Sequence, residues 1–138
     1  MKLKMSHTGL LLFVILLQGC GNSGPPEPER AVVTGTVKFE GEPVQTGNIS
    51  FTPEKGPVAL GPVIDGLYQI DRKGGVPVGN CKVEIYGFKE TGEEMIVGAG
   101  GRTEKVTRQI IPPNYNAAST IKVSIEAGQE NHHDFDLK

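Results

Sequence analysis

Apolar residues in this chain recur at every second position, in short runs separated by glycine and proline, and that period of two constrains the fold more than any other feature. In "TIKVSIEAG", Ile121, Val123 and Ile125 fall on one side, while Lys122, Ser124 and Glu126 fall on the other. Alternate side chains of a strand point to opposite faces, so such a run buries one face and wets the other. The same alternation aligns Val33, Gly35, Val37 and Phe39, then Ile49 and Phe51, then Tyr68 and Ile70. It returns in Cys81, Val83 and Ile85, and in Phe135 and Leu137. Turn-forming clusters stand between the runs: "EGEP", "TPEKGP", "IDG", "RKGGVPVG", "GAGG", "IPPN" and "EAGQ". No long 3.6-residue period occurs beyond the N-terminus. The expectation is an all-β fold, an antiparallel two-sheet sandwich of about seven strands. Residues 90–109, with "MIV" set between glycines and charges, fit either a hairpin or a long loop.

The N-terminus follows different rules. Lys2 and Lys4 precede an unbroken apolar block, Leu10 to Leu17. A membrane span needs roughly 20 such residues, so the block has the length of a signal-peptide core. It ends in Leu17-Gln18-Gly19-Cys20, which resembles the lipobox of bacterial lipoproteins. The resemblance implies cleavage after residue 19 and a diacylglycerol-modified Cys20 as the new N-terminus. That leaves Cys81 without an intrachain partner, so no disulfide is expected. Residues 20–30, "CGNSGPPEPER", read as the anchor and an extended Pro-rich spacer with a reach of about 30 Å. Gly21 replaces the Asp that retains lipoproteins at the inner membrane in well-studied envelopes, which favours the outer membrane. Loss of Lys2 and Lys4 reduces the 14 basic residues to 12, against 16 acidic ones. A chain without a basic stripe is a poor nucleic-acid binder.

Across residues 31–138 the motifs fall in a known order. "VTGTVKFEGEPVQTGNISFTPE", "IDGLYQI", "GVPVGNCKVEIYG", "IPPNYN" and "TIKVSIEAGQENHHDFDLK" resemble small bacterial lipoproteins with a transthyretin-like, carboxypeptidase regulatory-like domain. Cys81 stands where that family usually has an aromatic residue. The resemblance implies a Greek-key sandwich of prealbumin type and no peptidase activity. Turn chemistry agrees with it: Asp65-Gly66 suits a tight turn in which glycine takes positive φ, and Gly41-Glu42-Pro43 suits another.

Candidate chemistry is sparse. His132 and His133 are adjacent, so on a strand they diverge and do not form a metal site. Asp134 and Asp136 read as solvated acids, and Cys81 reads as a core thiol beside Val83 and Ile85. "GAGGR" lacks the G-K-[ST] ending of a phosphate loop. No hydrolase motif is present, so neither a catalytic residue nor a metal or other cofactor is expected. Seven aromatic residues follow Cys20, none of them Trp. Phe39, Phe51, Tyr68 and Phe135 take core-facing positions, which leaves Tyr86, Phe88 and Tyr115 for contact with a ligand. Two functions follow as expectations. The first is a non-catalytic envelope lipoprotein with a structural or protein-interaction role. The second is a glycan- or peptide-binding module that uses Tyr86, Phe88 and the Met95–Gly101 loop.

Overall fold

The computed structural model describes Gly24 and residues 26–138. Cys20, the signal segment and the first part of the spacer lie outside the described residues. The described chain is all-β, with no α-helix. Its strands are β1 (Arg30–Ala31), β2 (Val33–Phe39), β3 (Glu42–Pro43), β4 (Thr46–Pro53), β5 (Ala59–Ile64) and β6 (Leu67–Ile70). They continue as β7 (Val76–Pro77), β8 (Gly79–Val97), β9 (Arg102–Gln109), β10 (Lys122–Ile125), β11 (Asn131–His132) and β12 (Phe135–Leu137). Twelve strands replace the expected seven. The surplus arises because β1, β3, β7 and β11 are two-residue pieces, too short to carry an alternating pattern.

The main sheet runs β10-β8-β4-β5-β6-β2-β11, with β12 and β3 also on β2 and β9 on β8. Most pairs are antiparallel, but β11 and β12 run parallel to β2. Alternation cannot reveal this, because it fixes faces and not strand direction. The joint between β5 and β6 is only two residue pairs wide, Val63↔Tyr68 and Ile64↔Leu67. It closes at Asp65 (φ 50°) and Gly66 (φ 76°), both left-handed as a type I′ hairpin requires. Strand β5 escapes a sequence reading because Pro62 sits inside it. Pro62 pairs with Asn48 at an outward position of the "ALGPVI" run, between buried Gly61 and Val63.

Residues from both ends of this path form one core. Ile49 and Phe51 of β4, Val83 and Ile85 of β8, and Val33 and Val37 of β2 are fully buried. Ile111, Ile125 and Leu137 complete the same cluster. Phe51, Tyr68 and Phe135 stack in sequence, with ring centroids 6.1 and 6.2 Å apart. Cys81 is a free, buried thiol on the face of Val83 and Ile85. Burial pushes its pKa up, and Glu54 adds to the shift. Three buried polar side chains hold the loops. Asn116 donates to the carbonyls of Ile111 and Pro112, Ser119 donates to that of Val83, and Asn131 bridges back to Glu126.

Candidate functional site

Residues 90–109 form a hairpin. Strand β8 pairs with β4 as far as Phe88 and from there on with β9 alone. A bulge between Glu90 and Glu94 sets three intervening residues against one on β9. From Lys89 to Gln109 every residue is exposed except the half-buried Val97 and Val106. The ribbon is thus an arm with two wet faces. At its end Gly98–Gly101 close the turn, with the Gly101 N–H donating to the Gly98 carbonyl at 3.3 Å. "GAGG" is therefore the tip of the arm. The exposed apolar side chains Met95 and Ile96 lie next to it.

The root of the arm forms one wall of a cleft of about 720 Å³. Phe88 and Ile110 line it from the arm side, and Phe39, Pro43 and Val44 line it from the β2–β3 turn. Glu42, Gln45, Thr46, Lys89, Glu90 and Thr107 supply its polar rim. The cleft exists because the Glu40-Gly41 turn, with φ of 52° and 83°, folds β3 back beside β2. An ion pair braces the arm here, with Lys105 Nζ donating to Glu90 Oε2 at 2.9 Å.

The three expected contact residues separate. Phe88 lines the cleft. Tyr86 is half-buried on the same outward face of β8, opposite Asn48, and does not line it. Tyr115 lies elsewhere, in a 3₁₀ turn at Pro113–Tyr115. Its hydroxyl donates to the Lys138 carbonyl at 3.0 Å and accepts from the Lys138 N–H at 3.1 Å. A single platform of Tyr86, Phe88 and Tyr115 is thus not formed. Phe39, expected in the core, is partly buried: it packs against the core and also lines the cleft with Phe88. Its alternation is correct, but it is the last residue of β2, where the core ends.

The histidines diverge as expected. His132 is exposed, with Nδ1 3.1 Å from Thr34 Oγ1 and Nε2 3.2 Å from Asp134 Oδ1. His133 is half-buried, and its Nε2 has no hydrogen-bond partner. Asp134 is not merely solvated, since Oδ1 accepts from both Thr36 N–H and Thr36 Oγ1 at 2.8 Å. Those bonds hold its carboxyl below the usual range, and His132 lowers it further. Among the described residues no group of three side chains is placed to hold a metal. Nor is any helix among them long and apolar enough to cross a membrane.

No family model matches the chain, and no curated protein matches it. Among solved structures it is similar to a 9R-lipoxygenase from Cyanothece PCC8801, at 10% identity and a TM-score of 0.35. That match covers 84% of this chain and 18% of the other, so the chain spans less than a fifth of that protein's length.

Proposed function

We propose that the chain is a non-catalytic lipoprotein of the bacterial cell envelope, an interaction module tethered through an acylated Cys20. The cleft between Phe39 and Phe88 carries the interaction reading. Two aromatic side chains with an apolar floor and a polar rim are the pattern by which interfaces bury an anchor residue. An extended protein segment fits it best, because β9 of the neighbouring arm is paired only with β8 among the described residues and offers its other edge for pairing. The signal-like N-terminus, the small residue before Cys20 and the Pro-rich spacer support the tether, and Gly21 supports the outer membrane.

Strands β10-β8-β4-β5 make an antiparallel set, while β6 and β2 lead to C-terminal strands parallel to β2. Two such sets around one core suit a Greek-key sandwich of transthyretin type. A glycan is the second reading, favoured by Glu42, Gln45 and Glu90 beside the two aromatic rings.

The test is photo-crosslinking in intact envelope from position 107, on the cleft rim, and from position 122, on the far strand β10. A discrete adduct from position 107 alone is expected. Phe88→Ala should weaken its formation by roughly 30-fold, the scale of a lost interface anchor. Equal adducts from both positions, or none from position 107, would overturn the cleft reading. Binding of a purified envelope glycan, blocked by the same variant, would favour the second reading.

A further inference from the structure

We infer that a second cleft, at the pole where the N-terminal spacer enters, receives the anionic headgroups of the membrane surface. This inference rests on the tethered reading above. The cleft, of about 600 Å³, is lined by Arg30, Arg72 and Lys73 together with Val58 and Leu60. Val58 and Leu60 are 55% and 61% exposed. Three cations beside two bare aliphatic side chains match a ligand that is anionic at one end and apolar at the other.

Arg30 is held in place by a neutral carbonyl, and among the described residues none of the three cations is neutralised by an ion pair. Arg30 opens β1, and its Nη1 donates to the Gly75 carbonyl at 2.9 Å. Its Nε is buried without a hydrogen-bond partner. Lys73 sits at φ 53°, a left-handed conformation uncommon for a side-chain-bearing residue, within a 3₁₀ turn at Arg72–Gly74. The acids nearest along the chain to these residues, Glu27, Glu29, Glu54 and Asp71, are outside the lining, and Asp71 Oδ2 accepts from Gln69. The patch is local, because acids outnumber bases in the chain as a whole.

Chain geometry selects a membrane over a free ligand. Arg30 is both a wall of the cleft and the end of the spacer that begins at Cys20. Ten extended residues span at most about 30 Å, so an acylated Cys20 keeps this pole within that distance of the lipid surface. Phosphate groups there attract each nearby Lys or Arg by roughly a factor of 5 in partitioning.

The experiment is flotation of residues 20–138 with Cys20→Ser, a chain with neither signal block nor acyl group, with vesicles of phosphatidylcholine, alone or mixed with phosphatidylglycerol. Binding should be tighter to the anionic vesicles and should weaken with salt. The double variant Arg72→Gln with Lys73→Gly should lose roughly 25-fold on the anionic vesicles alone. Glycine suits the left-handed position 73, so the fold survives. Lys105→Gln with Arg108→Gln removes the same charge from the arm and should leave binding unchanged. Equal binding to both vesicle types, or equal loss in both double variants, would overturn the inference. Displacement from the vesicles by millimolar inorganic phosphate at constant ionic strength would also overturn it, since the ligand would then be a free phosphate. The mass of the N-terminal peptide of the native protein reports separately whether Cys20 is acylated, and the contrast with Cys20→Ser does not depend on that answer, because no acyl chain holds this variant to either vesicle type.

Discussion

Tyr68 ties three parts of the chain together. Its ring lies between Phe51 and Phe135, and its hydroxyl donates to the His133 carbonyl at 2.7 Å. Gly35 makes that contact possible, because a Cβ there would lie 1.8 Å from the His133 oxygen and 2.8 Å from the Tyr68 hydroxyl. Gly35→Ala should therefore destabilise the domain by about 3 kcal/mol or more, as overpacking against immobile backbone does, measured by urea unfolding. Tyr68→Phe keeps the ring but strands the carbonyl, and should cost about 1–3 kcal/mol by the same measurement. Burial, aided by Asp134, raises the Tyr68 pKa well above its ordinary value of 10.0. The unfolded chain then ionises first. The stabilisation from a neutral Tyr68 is full below pH 10.0 and is lost as the pH climbs towards the folded value. Wild type should thus lose stability above that pH more steeply than Tyr68→Phe, and parallel curves would contradict the assignment. The glycine in "VTGTV" and the alternation of Tyr68 with Ile70 were legible in the sequence. The contact that demands the glycine was not, because its partner lies 98 residues away at His133 and follows no local pattern.

At the scale of elements, the arm and the cleft differ most from a reading of sequence. Runs that bury one face announce themselves by period two, so β2, β4, β6, β10 and β12 were legible. The arm buries neither face, and "KETGEEMIV" and "RTEKVTRQ" therefore carry no such pattern. Its strands are paired, but a two-stranded ribbon without a hydrophobic face is marginal by itself. Exposed ion pairs such as Lys105–Glu90 add only about 0.2–1 kcal/mol each. Amide hydrogen exchange should therefore be slow from Cys81 to Ile85 and fast from Glu90 to Thr107, with the change near Phe88. Uniform protection along β8 would show that something else covers the arm. The cleft was half legible: Phe88 stood out as spare, whereas Phe39 required knowledge of where β2 leaves the core.

For the molecule as a whole, the sequence carried the all-β class and the residues of the core, but not the order of strands. That order depends on which edges meet, and the parallel approach of β11 and β12 to β2 is set by contacts across almost the full length of the domain. The proposed tether is the opposite case, written in local sequence alone and lying outside the described residues. Tether and domain nevertheless give one account, because Arg30 joins the spacer to the basic cleft while the Phe39–Phe88 cleft remains open to a partner. In the proposed account both clefts belong to a domain tethered to a membrane through Cys20. The most direct measurement is the intact mass of the mature protein extracted from envelope. The account predicts a chain that begins at Cys20 and carries diacylglycerol on its thiol. A chain cut at another residue, or a free thiol at Cys20, would contradict it.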